Sequence, residues 1–321
     1  MTSSVASSLI LAAQQATIYF GIPILIAGVT GNFLNLVVFL SLRTFRQSSC
    51  AFYLTAMSFL NIGQLISGLL TRIIINGYQN DWINSSAFYC KFRSYSLIVS
   101  ALISLTCMCL ATIDQYLATC PRTRWQRWSH IKVAHRVTII SVLIWILYGI
   151  PFFIYNNLIY SPITNRMICV SSMTTFYYYY AYSFVWVFGG MLPIFVNALF
   201  GLLAYCNVQQ MHRRTVPFIR RELDKQLTVI VLIQVVYTFV AIIPYIIVTI
   251  IILDSMSGND DVWQAKIQLA TSITTCLYYL YFSSPFYMYI CVSQRFRHQF
   301  IHVFFKIYIQ RWHRPRINTI H

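Results

Sequence analysis

The sequence predicts an all-α membrane protein: a bundle of seven transmembrane helices, N-terminus outside, with a short amphipathic eighth helix at its inner end. Three observations carry this. Apolar residues make up 58% of the 321-residue chain and charged residues only 9%, where a soluble domain has about 25% charged; mean hydropathy is correspondingly positive, at +0.63. Charge is absent from seven long windows, residues 1–42, 47–71, 94–113, 137–165, 167–212, 226–253 and 267–294. Each window can hold about 20 apolar residues, the length of a spanning helix. Finally, Lys and Arg crowd alternate loops. Arg43 and Arg46, then Arg122 to Arg136, then Arg213 to Lys225, then a tail from Arg295 to Arg316 lie on one side, against only Arg72, Lys91, Arg93, Arg166 and Lys266 on the other. The positive-inside rule puts the richer side in the cytosol.

Helices are expected near 18–42, 50–75, 88–119, 134–156, 176–207, 227–253 and 266–291. Residues 1–17 form a short outer segment, 18–291 the bundle, and 292–321 an amphipathic helix with a basic cytoplasmic tail. In that last stretch Phe296, Phe300, Val303 and Phe304 share one helical face, while Arg295, Arg297 and Lys306 are polar. This pattern suits a helix lying on the membrane surface. The start of the chain lacks a basic n-region and its apolar run is too long for a cleaved signal, so the first span is expected to act as the insertion signal.

The formal net charge of +16 reads as topology plus attraction to anionic lipid or a cytosolic partner, with no nucleic acid expected. No catalytic constellation is present. The histidines fall in cytosolic loops or the tail, no glycine-rich phosphate loop occurs, and no carboxylate pair lies within a span. The nine cysteines show no metal-ligand spacing. No enzyme, cofactor or metal is expected, and the setting is a multi-pass protein of the plasma membrane. Asn84-Ser85-Ser86 is a glycosylation acceptor in an outer loop.

The third window organises the rest. Cys90 sits at its outer mouth and Asp114-Gln115-Tyr116 at the inner one, 24 residues on. At helical rise that separation is about 36 Å, enough for a tilted helix to cross a hydrocarbon core of about 30 Å. Other landmarks follow one per helix: Gly31-Asn32 in the first, Asn61 in the second, Trp145 in the fourth, Pro193, Pro244 and Pro285 in the fifth, sixth and seventh, and Tyr289-Ile290 before Arg295-Phe296-Arg297. Taken singly, each has a plain reading: a kink for a proline, an interfacial anchor for a Trp, polar glue between helices for Asn32 and Asn61, and an inner interfacial cap for Asp114.

As an ordered set over residues 18 to 308, these landmarks resemble the rhodopsin-like G-protein-coupled receptors. The resemblance implies a disulfide between Cys90 and Cys169, tying an outer loop over the bundle mouth. It implies packing roles for Asn32, Asn61 and Trp145. Asp114, Gln115, Tyr116, Pro244, Pro285 and Tyr289 become the switch and coupling residues, and a heterotrimeric G protein the cytosolic partner.

Departures mark a divergent branch. Gln115 stands where the family has Arg, and Asn61 where it has Asp, so a sodium site is not expected. Ile242 replaces the switch Trp before Pro244, Ser284 replaces the Asn before Pro285, and the following Tyr is displaced to Tyr289. Leu97 stands where amine receptors carry Asp, and Tyr278 where opsins carry the retinal Lys, which disfavours both ligand classes. Tyr278, Tyr279, Tyr281, Tyr182 and Asp254 are candidate pocket residues. Aromatics with a few acids suit a peptide with a basic or aromatic end; an interfacial aromatic belt is the other reading of the Tyr177–Tyr180 run. The functional expectation is signalling from an extracellular ligand, a peptide favoured, to a G protein. A non-signalling receptor-like partner and a membrane transporter or channel are the alternatives.

Overall fold

The computed structural model describes residues 2–80, 86–161, 166–171, 173–211, 218–254 and 261–309. Six helices among these are long and apolar enough to cross a membrane. The first, α1 (Thr2–Ser41), is 40 residues long, or about 60 Å at 1.5 Å per residue. That is twice the hydrocarbon thickness, so helix also covers the stretch before residue 18, which the sequence reading left without a secondary structure.

Ser48 caps α2 (Ser49–Gln64), its hydroxyl accepting from Ala51 N at 3.4 Å. The helix then runs on through wider, π-type turns at Leu65–Leu70 and Ile73–Gly77. Ser86 caps α3 (Ala87–Thr119) in the same way, through Tyr89 N. Both caps satisfy an N-terminal donor that has no partner inside the helix. Helix α4 (Ile131–Tyr155) leads into a hairpin of β1 (Asn156–Ser161) and β2 (Arg166–Ser171), antiparallel with Leu158 opposite Cys169. This small sheet is an addition to the all-α expectation.

Helix α5 comprises Thr174–Tyr179, a wide-turned stretch Tyr180–Met191 and Leu192–Met211. Helix α6 is Phe218–Asp254, with Pro244 inside it. The seventh helix, α7, runs Asp261–Ser283, breaks at Ser284 and resumes as Pro285–Val292. The break falls where Pro285 withdraws a backbone donor. The amphipathic α8 follows as Gln294–Ile301 and a wide-turned His302–Ile309, with Phe296 and Val303 buried and Phe305 exposed.

Burial tells which helix is central. In α3, 61% of the most apolar window is enclosed, against 11% in α4. Helix α3 packs on α2, α4, α5 and α6, while α1 and α7 pack on one another. Helix α4 instead turns Ile139, Ile140, Leu143, Ile144 and Leu147 outward. That apolar face suits lipid, since tails are as apolar as leucine. Two buried clusters fill the bundle. The outer one centres on Leu65, Leu102, Phe152, Ile242, Tyr281 and Phe282; the inner one centres on Phe39, Leu54, Met108, Val231, Tyr289 and Phe296.

Candidate functional site: an outer cavity and an inner latch

The outer half of the bundle encloses a cavity of about 330 Å³. Ligand pockets span about 300–1,000 Å³, so this is a small one. Its floor and walls are aromatic. The Tyr245 and Tyr278 rings stack at 4.8 Å, Tyr180 stacks on Phe184 at 5.4 Å, and the Tyr180 and Tyr245 hydroxyls meet at 3.4 Å. Phe152, Phe176, Leu97, Ile98 and Tyr279 complete the apolar lining.

Polar groups enter from two sides. Gln64, Ser94, Asn156 and Thr275 line the cavity, and so do the two guanidinium groups of Arg72 and Arg93. The arginines interact electrostatically with one another and with Tyr279. The Tyr279 hydroxyl is pressed against Gly68 of α2, where even a methyl group would collide with it and with Leu97. A glycine is therefore required there for α7 to approach. No carboxylate lies among the described lining residues.

The hairpin forms the lid side. Cys90 and Cys169 are joined in a disulfide with Cα atoms 5.7 Å apart. The bridge pins β2 to the outer end of α3, and Cys169, Val170 and Ser171 thereby become cavity wall.

Below the cavity a chain of short hydrogen bonds crosses the bundle. Ser100 donates to Gln64 Oε1 at 2.6 Å. One turn down, Ser104 donates to Asn61 Oδ1 at 2.6 Å. Asn61 Nδ2 donates to Asn32 Oδ1 at 3.3 Å, and Asn32 Nδ2 donates to the Phe282 carbonyl at 2.8 Å. Helices α3, α2, α1 and α7 are thus linked in series at mid-membrane. The Trp145 indole donates to Thr106 at 2.9 Å, joining α4 to α3.

At the inner end the acid and the glutamine separate their tasks. Ser49 donates to both Asp114 oxygens, at 2.8 and 2.7 Å, and the Cys50 backbone N–H adds a further bond. The carboxylate therefore sits on the N-terminus of α2, where the helix dipole favours negative charge. Gln115 Oε1 accepts from Thr228 at 3.2 Å, joining α3 to α6. Tyr116 packs on Phe200 of α5, ring centres 5.5 Å apart. Tyr289 is fully buried between Phe39 and Phe296. Its hydroxyl has no hydrogen-bond partner among the described residues, and neither side-chain end of Gln234 on α6 has one.

Of the candidate pocket tyrosines, Tyr278 and Tyr279 line the cavity. Tyr281 is fully buried beneath them and not in its wall. Tyr182 is 56% exposed and faces away. The Asp254 side chain and Asn84 lie outside the described residues. Tyr177 and Tyr180, from the run read as either pocket or belt, line the cavity; sequence reasoning missed Arg72, Arg93, Gln64 and Tyr245. The arginines carried a usable signal: each lies within a helix long enough to span, and an ionisable residue there marks a functional site by default.

Residues 31–297 match the family model described as 7 transmembrane receptor (rhodopsin family). No curated protein matches the chain.

Proposed function

We propose a specific signalling role for this chain, which belongs to the rhodopsin family of seven-transmembrane receptors: a ligand from outside occupies the cavity between α2, α3, α5, α6 and α7, and α6 carries the change to a heterotrimeric G protein in the cytosol. Membership makes the protein a multi-pass membrane receptor and not an enzyme. The ligand, the coupling and residence in the plasma membrane are the proposal.

One observation carries it. A single helix, α6, lines the cavity with Tyr245 and holds α3 through Thr228. The two contacts are 17 residues apart, about 26 Å along the axis, with Pro244 between them as a place to bend. A ligand that binds better when α6 is tilted outward draws the population toward the state in which Thr228 has left Gln115. The basic loops around 120–136 and 208–226 then frame the cytosolic cleft.

The resting latch is weak. A neutral hydrogen bond contributes about 0.5–1.5 kcal/mol net, where the family's charged Arg would be held by an acid. This chain's carboxylate is already engaged by Ser49, Ser129 and the N-terminus of α2. Gln115 therefore supports a receptor with raised basal output, rather than one that cannot couple. A peptide end remains an admissible ligand; the side chains of the acids that suggested a basic peptide lie outside the described residues.

The test is G-protein activation in cells displaying the protein, with wild type beside Gln115→Arg. Basal activation in wild type that exceeds vector-only cells is the expected result. Silence from both variants despite surface display would overturn the signalling reading in favour of a non-signalling partner. Substrate flux or current would favour the transporter or channel reading.

A further inference from the structure

We propose that the outer cavity is a carboxylate site: it takes a ligand with one anionic head on an aromatic or apolar body, the head held by Arg72 and Arg93. This deepens the receptor reading above and rests on it for the consequence of binding, though not for binding itself.

Two guanidinium groups enter one small cavity whose described lining contains no acid. They act on each other as like charges. Placing two such charges together inside a membrane protein is costly unless a counter-charge is supplied, and among the described residues no carboxylate lies within ion-pair reach of either. Arg93 also has a buried Nε without a hydrogen-bond partner among the described residues. An anionic oxygen pair would meet these needs at once. The guanidinium fork matches a carboxylate in two parallel hydrogen bonds, and Tyr279, which interacts with both arginines, stands beside the head.

The remainder of the cavity describes the body. Tyr180, Phe184, Tyr245 and Tyr278 present stacked rings with few polar atoms between them. A volume of about 330 Å³ is at the low end for a ligand pocket. It accepts a small organic acid, or the last residue of a peptide entering by its C-terminal carboxylate. It excludes amines, whose charge would face two like charges.

The experiment uses the full-length protein purified in detergent, with thermal shift and equilibrium binding as readouts. The probes are phenylacetate, indole-3-acetate and octanoate, with phenethylamine and phenylacetamide as charge-reversed and neutral counterparts. The peptide Gly-Gly-Phe is included as the free acid and as the C-terminal amide. At least one carboxylate should raise the melting temperature while the amine and the amide do not. Arg93→Gln and Arg72→Gln should each weaken its binding about tenfold or more, and Arg93→Lys should recover part of the loss.

Binding by the small acids alone identifies a free organic acid; binding by the free-acid peptide alone identifies a peptide terminus; both support the site. No shift from any carboxylate, or equal binding of the amine or neutral amide, overturns it. So does unchanged affinity in both Gln variants. The wild-type contrast of acid with amine decides the matter even where a variant does not fold. Carboxylate binding without any G-protein response would leave the site standing and overturn the signalling reading alone.

Discussion

The two halves of the bundle treat polarity in opposite ways. The outer half shows charge with no counter-charge among the described residues: Arg72 and Arg93 open into a cavity with no acid in its described wall. The inner half contains a carboxylate and encloses it, with Asp114 accepting a bifurcated bond from the Ser49 hydroxyl and further bonds from the Ser129 hydroxyl and the Cys50 backbone. An uncompensated charge beside a cavity is poised for something that arrives. A compensated charge under a packed cluster holds something in place. The difference separates recognition from restraint within one set of helices.

Loss of the bridge should damage the outer half most. Cys90→Ser removes the disulfide that makes β2 a cavity wall, and loss of a native disulfide costs about 2–5 kcal/mol in small secreted domains. Melting temperature and surface display are expected to fall, and carboxylate binding to disappear. If binding survives in the displayed fraction, the hairpin is not part of the site and the two halves differ less than the geometry implies.

A charge placed in the cavity sharpens the contrast. Leu97 lines the cavity four residues after Arg93 on α3, which puts the two side chains on one helical face. Leu97→Asp supplies a counter-charge from within the described wall. Acid binding should weaken at least tenfold, and phenethylamine should be admitted, as competition binding would show. Unchanged acid affinity would mean that the arginines do not hold the head.

In the inner half the informative change is a removal of polarity. Gln234 is 1% exposed and neither end of its amide has a partner among the described residues. A buried polar group left unpaired costs about 1–3 kcal/mol. Gln234→Leu should therefore raise the melting temperature and, if that amide finds partners only when α6 moves, lower basal output as well. A lower melting temperature would show that the amide is satisfied in the resting state.

How much of this was legible in the sequence follows the same division. The spans, the bridge and α8 could be read because each leaves a one-dimensional signal: a run of apolar residues, a pair of outer cysteines, an amphipathic face. The inner landmarks could be read because they are single polar residues on apolar helices. The outer cavity could not. Arg72 and Arg93 fall inside the expected helices 50–75 and 88–119 but entered the reading only as outer-side charges, since hydropathy says nothing of the face they occupy. From Tyr177 to Tyr182 aromatics stand at nearly every position, so no periodicity selects a face. Tyr180 and Tyr182 are two residues apart and point about 200° apart on a regular helix. The wide turns that begin at Tyr180 shift that phase further, and Tyr178 and Tyr182 end up stacked on each other outside, ring centres 6.5 Å apart. The hairpin was hidden because its first strand continues the charge-free window of α4.

The smallest expected effect is the most specific to restraint. Thr228→Val keeps the shape of the side chain and removes the hydroxyl that Gln115 accepts from. Nothing in the cavity changes, so ligand affinity measured on the purified protein should shift only by the altered resting population. With a bond of about 0.5–1.5 kcal/mol removed, the balance between resting and open states moves by up to about tenfold. Basal nucleotide exchange on a reconstituted G protein should rise within that range, and Gln115→Leu should raise it by a similar amount. The double variant should do no more than either alone, because both remove one interaction. Additive increases would show that Gln115 and Thr228 act on separate contacts, and the restraint would then lie elsewhere along α6.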